Sequence, residues 1–493
     1  MFCPLILKKR LYLNIIMLTL LTELINQIMK LIISFAISLL TISGLFSQEI
    51  IGTWQGTLKT QGVELEVVFH IDKQDDGYVS LMDSPTQGAF GIPVTNTSFQ
   101  NEQLQIVVSN LGIFFQGKMN NDTITGMFNQ GGMPFPLVLA RTERKEQLRP
   151  QEPKAPYPYD AEEITFTNSK EKIELSATLT LPQQKSKVPA VILIAGSGPN
   201  DRDETIFGHK PFWVLADYLT RQGIAVLRYD KRGIDKSGGE YFTATTEDFA
   251  DDALAAFHYL KTRKEIDPTK IGLIGHSEGG VIAPMVADRN KEVSFVILMA
   301  GMGITGTELV LAQHQNAFDK TSLTQEEKEN LNQILINIYS NVSNWTEYVG
   351  SDEERTQLTE ELGKLWQNLA PEIRGEVQQD AFVKKTTANI TSPWFRHFLK
   401  IEPSVYLQKL SIPVLAINGE NDTQVDYQIN LKSIDAALKK ANNQHYTIKS
   451  YALLNHLFQE STTGEIDEYG KIEQTISPIV LSNIADWIKK EVE

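Results

Sequence analysis

The residues best placed to do chemistry are Gly275-His276-Ser277-Glu278-Gly279-Gly280. They follow the apolar run Ile271 to Ile274 and open a small-residue stretch with Gly280, Ala283 and Ala287. A serine between two glycines, placed after a buried strand and before a helix, suits a sharp strand-to-helix turn. Gly275 and Gly279 remove side chains that would clash there, and the turn holds Ser277 at an exposed apex. The following helix aims its N-terminal dipole and free N–H groups at that apex. Such a layout suits nucleophilic attack by a hydroxyl. The hydroxyl then needs a base, and the base needs an acid to fix its tautomer.

In the chain order nucleophile, acid, histidine, the acid expected is Asp422. It lies just past the apolar run that ends at Gly419, in a loop at a strand's carboxyl end, where α/β sheets place active groups. Asp426 and Glu420 are rivals. Of the eight histidines only His445 and His456 follow Asp422. His445 opens a strand running to Tyr451 and is expected to be structural, whereas His456, beyond that strand, is the expected general base. A developing oxyanion requires two backbone donors. The N–H of Glu278 is one, and the other is expected at Ser197 in Gly196-Ser197-Gly198-Pro199, although these could be plain turn residues.

These groups must be positioned by a sheet. From residue 161 onward short apolar runs alternate with helical patterns: Ile173 to Leu181 as an outer strand, then Ala190 to Ala195, Ile224 to Tyr229, Lys270 to Ile274, Phe295 to Met299 and Val414 to Asn418. Helices are expected over Phe212 to Gln222, Glu247 to Thr262, Gly279 to Asp288 and from Pro478 onward. This is the texture of a mostly parallel sheet covered on both faces. Residues 301–405 lack apolar strands and read as a helical insertion, with helices over Gln325 to Tyr339 and Asp352 to Leu369, forming a lid. Its aromatics Trp366, Trp394, Phe395 and Phe398 could line a pocket, with core packing the competing use.

Residues 48–142 differ. Leu65, Val67, Phe69 and Ile71 alternate with more polar neighbours, and similar short runs recur between turns such as Asn120-Asn121-Asp122. A small antiparallel sheet or barrel is expected. No Ser-His-Asp arrangement shows in this stretch, and His70 is expected as a rim or face histidine. Residues 143–160, with Pro150, Pro153, Pro156 and Pro158, read as an extended linker. At the N-terminus, Leu31 to Phe46 follows Met29-Lys30 and ends before Ser47, the anatomy of a signal peptide. Residues 1–47 are therefore expected to be a removable leader with Met29 as the true start, and a genuine membrane anchor is the alternative. Either reading exports the remainder, to the periplasm or the extracellular space, and cleavage leaves no membrane span.

The ordered set Gly196-Ser197-Gly198-Pro199-Asn200-Asp201-Arg202-Asp203, Asp230-Lys231-Arg232-Gly233-Ile234-Asp235-Lys236-Ser237, Gly275 to Gly279, Gly419 to Asp422 and Asn455-His456 resembles the α/β-hydrolase superfamily. It is closely similar to exported bacterial carboxylesterases with an N-terminal β domain. The resemblance covers about residues 150–493. It implies an α/β-hydrolase sheet with a lid, and ester hydrolysis through an acyl-enzyme on Ser277, Asp422 and His456, with no metal or organic cofactor. Two positions depart. Ala195 stands where relatives often have histidine before the oxyanion glycine, and Asp235 where the turn usually has glycine. A serine aminopeptidase or prolyl peptidase of the same superfamily is the first alternative, with lid acids such as Glu353, Glu354 and Glu360 available as an amino-terminus anchor. A non-catalytic binding protein is the second.

Composition narrows the partners. Lys plus Arg total 46 against 61 Asp plus Glu, a formal net charge of −15, which repels phosphate backbones and disfavours nucleic acid. The single cysteine, Cys3, excludes an intrachain disulfide framework or a cysteine-built zinc site. Length and totals leave the natural substrate and oligomeric state open.

Overall fold

The computed structural model describes residues 49–493 apart from 61–62, 75–76, 88, 144–147, 185, 346–349 and 376. The leader assigned to residues 1–47, Cys3 and Met29 included, lies outside the described residues.

The N-terminal region is one antiparallel sheet of nine strands: β1 (Gly52–Thr60), β2 (Val63–Gln74), β3 (Gly77–Ser84), β4 (Ala89–Pro93), β5 (Asn96–Gln100), β6 (Gln103–Val108), β7 (Ile113–Asn120), β8 (Thr123–Gln130) and β9 (Met133–Thr142). Their spatial order is β4-β3-β2-β1-β9-β8-β7-β6-β5. The sheet curls until its far end meets β3, where Thr97 Oγ1 donates to Ser80 Oγ at 2.8 Å. The period-two pattern explains the interior. Val67, Phe69 and Ile71 are buried with Trp54, Phe115 and Phe128. His70 falls on the other face, where it is engaged on both ring nitrogens. Thr53 Oγ1 lies 3.0 Å from His70 Nδ1, and His70 Nε2 lies 2.7 Å from Asp83 Oδ2. Register, which local spacing does not reveal, brings them together: Thr53 pairs opposite His70, and Asp83 sits on the next strand.

The second sheet has eight strands: β10 (Tyr159–Asn168), β11 (Ile173–Pro182), β12 (Val188–Ile194), β13 (Ala225–Tyr229), β14 (Ile266–His276), β15 (Val296–Met299), β16 (Val414–Gly419) and β17 (Tyr446–Tyr451). The order is β10-β11-β13-β12-β14-β15-β16-β17, with β11 antiparallel to both neighbours and β13 through β17 mutually parallel. The expected outer strand β11 is in fact second from the edge. The true edge, β10, reads Glu162-Glu163-Ile164-Thr165-Phe166-Thr167 and carries charge because one side of it faces water. It begins at Tyr159, inside the stretch read as linker. Just upstream, the Arg149 guanidinium donates to the carbonyls of Phe207, Gly208, Gly470 and Ile472 at 3.0–3.2 Å.

Helices cover both faces. Helices α1 (Pro211–Arg221) and, at the chain's end, Pro478–Val492 pack on one; α2 (Thr246–Lys261) and α3 (Gly279–Arg289) pack on the other. Between β15 and β16 the chain leaves the sheet to form Gly306–Asp319, Gln325–Ser343, Asp352–Asn368, Gln379–Ile390 and Pro393–Leu399. The first three of these open with capping boxes, Thr305 with Glu308, Thr324 with Glu327 and Ser351 with Glu354, which satisfy the otherwise unpaired first-turn amides. Among the described residues no helix is long and apolar enough to cross a membrane.

Candidate active site

Strand β14 ends at His276, and the next residue turns back sharply. Ser277 has φ 53°, a left-handed conformation disfavoured for a residue with a Cβ. Its N–H donates to Met299 O at 2.9 Å on the neighbouring strand, which anchors the turn. The flanking glycines are there for space. A Cβ on Gly275 would lie 1.9 Å from Gly279 O, and one on Gly279 would lie 2.0 Å from Ile194 O. Only a chain without side chains at both positions can fold back this tightly and leave Ser277 at the apex.

Asp422 follows β16. Its Oδ1 accepts the N–H groups of Gln424 and Val425, both at 2.8 Å, which fixes the carboxylate. Its Oδ2 lies 2.8 Å from His456 Nδ1, and both side chains are buried. The rivals are occupied elsewhere. Asp426 caps the helix Tyr427–Lys440 through Ile429 N–H at 2.9 Å, and Glu420 accepts the Ser450 hydroxyl at 2.7 Å. His445 serves the sheet through its backbone, where its carbonyl accepts Val414 N–H at 2.9 Å. The His456 loop is held by Asn455 Oδ1, which accepts the N–H groups of Leu457 and Gln459 at 3.0 and 2.9 Å.

Ser277, His456, Gly196, Ser197 and Glu278 line one cavity of about 740 Å³. Asp422 stands behind His456. With Nδ1 engaged by the carboxylate, Nε2 is the imidazole nitrogen free for work on the serine side. The inserted helices supply most of the remaining wall, including Leu309, Phe318, Leu335 and Phe398. Trp394 and Phe395 also line it, whereas Trp366 does not and instead lies under the Arg374 guanidinium, 4.9 Å from its ring centre. Glu353, Glu354 and Glu360 are absent from that lining, and Glu354 is spent on its capping box. On the far wall His314 Nε2 lies 2.6 Å from the Tyr339 hydroxyl, and burial pushes this imidazole's pKa down.

Asp235 explains one departure noted in the sequence: its φ of 45° is in the left-handed region, which glycine occupies without strain. Asp201, Arg202 and Asp203 brace the loop from behind. Arg202 pairs with Asp230 at 2.7 Å and Glu163 at 2.6 Å, and Asp203 pairs with Arg228.

Sequence reasoning missed four roles. Glu204 Oε1 accepts Gly196 N–H at 2.6 Å and lies 3.0 Å from His276 Nδ1. His276 Nε2 lies 3.0 Å from the His456 carbonyl. Lys231 Nζ donates to Gly196 O at 2.5 Å and sits 3.7 Å from Glu278 Oε2. Glu278, named only for its amide, also uses its side chain: Oε1 accepts from Thr246 Oγ1 at 2.6 Å and from Trp394 Nε1 at 2.8 Å. Burial lowers the pKa of His276, but the Glu204 carboxylate and the His456 carbonyl outweigh it and the net shift is upward. Burial lowers that of Lys231 despite Glu278 and Glu204. Three of these residues sit inside the quoted motifs and the fourth directly follows one, yet nothing in the spacing marks them as partners of each other.

An eight-stranded sheet of this order, with a tight serine turn after its fifth strand and a histidine–carboxylate pair beside it, defines an α/β hydrolase. The chain belongs to the family described as Serine aminopeptidase, S33 (Hydrolase_4), whose model matches residues 212–461. It is 28% identical over 321 residues to a protein named Esterase EstD from Thermotoga maritima, a match covering 64% of this chain and 66% of that one. It is 29% identical over 128 residues to an uncharacterized protein, YfhR, of Salmonella typhimurium, covering 25% and 40% of the two chains. The chain thus spans just under two thirds of the first of these relatives and well under half of the second. Among solved structures, an esterase of Pyrococcus furiosus matches 68% of this chain and 91% of its own at 15% identity and a TM-score of 0.42.

Proposed function

We propose that the protein is a serine esterase that cleaves small carboxylic esters through an acyl-enzyme. Ser277 attacks the ester carbonyl while His456 Nε2 takes its proton. Asp422 holds the imidazole through Nδ1 and stabilises the imidazolium that forms. The N–H groups of Ser197 and Glu278 receive the oxyanion. The protonated His456 then gives its proton to the departing alkoxide, and in the second half it activates water against the acyl carbonyl. The observation that carries this reading is the 2.8 Å bond from Asp422 to His456 Nδ1 on the wall of the cavity where Ser277 stands at φ 53°. The apolar wall favours an acyl group with substantial hydrocarbon, and the relative named as an esterase supports the ester bond.

Labelling with a fluorophosphonate followed by peptide mapping tests nucleophile and class together. Modification of Ser277 with concurrent loss of nitrophenyl-ester turnover is expected. A label on another residue, or none, overturns the proposal.

The matched family's own description favours an aminopeptidase as the second reading, with the Glu278 carboxylate, buried behind the cavity wall, as the nearest anion. A substrate ammonium would need that carboxylate, but Lys231 stands 3.7 Å from it and already balances its charge. Parallel turnover of a short-chain nitrophenyl ester and an aminoacyl nitroanilide separates the two. Faster amide turnover reassigns the substrate and keeps the nucleophile.

A further inference from the structure

We infer that Glu204 and Lys231 are positioning residues that hold the two peptides flanking Gly196 and thereby aim the Ser197 amide at the oxyanion. The inference rests on the acyl-enzyme reading above. Glu204 Oε1 accepts the Gly196 N–H at 2.6 Å, and Lys231 Nζ donates to the Gly196 carbonyl at 2.5 Å. The Gly196 carbonyl and the Ser197 N–H belong to one planar trans peptide and point in opposite directions, so the Lys231 bond to that carbonyl fixes the direction of the Ser197 N–H, while Glu204 holds the peptide before it. A Cβ on Gly196 would meet Ser277 Cβ at 3.0 Å and Glu204 Oε1 at 3.3 Å, so the clamped glycine lies directly against the nucleophile.

Each arm of the clamp continues into a second part of the site. On the Glu204 side, His276 faces only acceptors, the carboxylate at 3.0 Å and the His456 carbonyl at 3.0 Å, a setting that favours the protonated ring. That arm connects the oxyanion loop to the backbone of the candidate base. On the Lys231 side, the ammonium faces Glu278, whose carboxylate also holds Thr246 and the inserted-helix residue Trp394. With His276 protonated the four groups alternate in sign around Gly196, and all four side chains are buried.

Glu204 Oε2 and Glu278 Oε2 are buried without a hydrogen-bond partner. Burying a carboxylate oxygen without a hydrogen bond is unfavourable, and a loop that needed only to turn would do better with an apolar residue at either position. The arrangement makes sense where fixed dipoles are worth more than local stability, as around a developing oxyanion. It also answers the departure at Ala195, since the support that relatives take from a preceding histidine is supplied here by Glu204, further along the same loop, and by Lys231 on the loop after β13.

The test uses the full chain and Lys231→Met, Lys231→Arg and Glu204→Gln. Unfolding midpoints establish that each is folded, and active-site titration with a fluorophosphonate normalises the rates. Lys231→Met is expected to lower kcat for a nitrophenyl ester by about 10–100-fold, short of the ~10²–10³ seen when an oxyanion donor is removed outright, with KM changed less than about threefold. Affinity for a trifluoromethyl ketone, which presents an oxyanion to the same donors, is expected to fall in proportion to kcat/KM. Lys231→Arg, which keeps a cationic donor, is expected to recover most of the loss. Glu204→Gln keeps an acceptor for Gly196 N–H but not the charge that holds His276, and is expected to lose about tenfold in kcat. It carries the same readout if Lys231→Met fails to fold. Wild type labelled at Ser277 together with variants whose normalised kcat and ketone affinity stay within about twofold overturns the clamp alone. Wild type unlabelled at Ser277 overturns the acyl-enzyme chemistry and the clamp with it.

Discussion

Two histidine–aspartate pairs stand among the described residues, one half-buried and one buried, and they are almost the same contact. His70 meets Asp83 at 2.7 Å in the N-terminal sheet, and His456 meets Asp422 at 2.8 Å beside the hydrolase sheet. Each even has a hydroxyl residue in its neighbourhood, Thr53 for the first and Ser277 for the second. What separates them is the elements that carry them. Thr53, His70 and Asp83 lie on regular antiparallel strands, fixed by ladder register, and both nitrogens of His70 are occupied. Ser277, Asp422 and His456 lie on loops at the carboxyl ends of parallel strands, one of them strained, around a cavity of about 740 Å³. His456 gives the acid its Nδ1 and keeps Nε2 for other work. A hydroxyl, an imidazole and a carboxylate in contact are therefore not sufficient for a site. The open nitrogen, the raised apex and the space in front of it are what distinguish the second set.

The largest expected effect breaks the comparison outright. Ser277→Ala lowers kcat by about 10³-fold or more and Asp422→Asn comes close to it, given the coupling within such sets. His70→Gln leaves kcat unchanged and acts on the stability of the first sheet, by about 1–3 kcal/mol for the partners left unsatisfied. Equal losses of activity from His70→Gln and Asp422→Asn would erase the distinction. Next in size, Gly279→Ala drives a Cβ into Ile194 O at 2.0 Å and displaces the apex. An activity loss of about 10²-fold, with Ser277 still present, is expected from a misplacement on the order of 1 Å. Full labelling of Ser277 in that variant would show that the apex tolerates displacement.

A third test sharpens the comparison through a histidine with no carboxylate partner. His209 has Nδ1 2.9 Å from Thr475 Oγ1 and Nε2 2.9 Å from the Tyr469 carbonyl, and burial, with Arg149 nearby, pushes its pKa down to about 4. A depressed value means the folded state resists protonation that the unfolded chain accepts near 6.5. The stability His209 contributes is therefore complete above about pH 6.5 and is lost as pH falls toward 4. Melting temperature is expected to drop over that interval, and His209→Gln to flatten the drop. An unchanged slope in the variant would place the acid sensitivity elsewhere. The smallest effect belongs to Asp426→Asn. Asparagine caps a helix about as well as aspartate, so kcat within twofold and a nearly unchanged melting temperature are expected; a large activity loss would move the acid from Asp422.

The site's linear motifs were legible in the sequence because each is a local requirement. The glycines around Ser277, the apolar run ending at Gly419 and the loop after Tyr451 all announce a strand end followed by a turn. Fold class followed from the same runs, since fully buried parallel strands such as Val188–Ile194 leave an unbroken apolar signature. Edge strand β10 was not legible, because a strand with one wet side and glutamates in it looks like a loop. The Thr53–His70–Asp83 chain and the Glu204–His276 and Lys231–Glu278 pairs were hidden for a different reason. Their partners are 13 to 72 residues apart, and only strand register or loop docking decides which polar residues meet.

The position of the inserted helices has a consequence for how this molecule can be changed. The candidate catalytic groups come from loops of the sheet, while most of the apolar cavity wall comes from one stretch of chain between Met299 and Val414. A single recombination or a grafted segment with those two junctions would exchange the substrate-facing wall in one event. Trp394, which reaches down to Glu278 at 2.8 Å, is a contact such a graft would have to preserve or replace. Diversification of substrate range is in that sense separable from the inheritance of the chemistry.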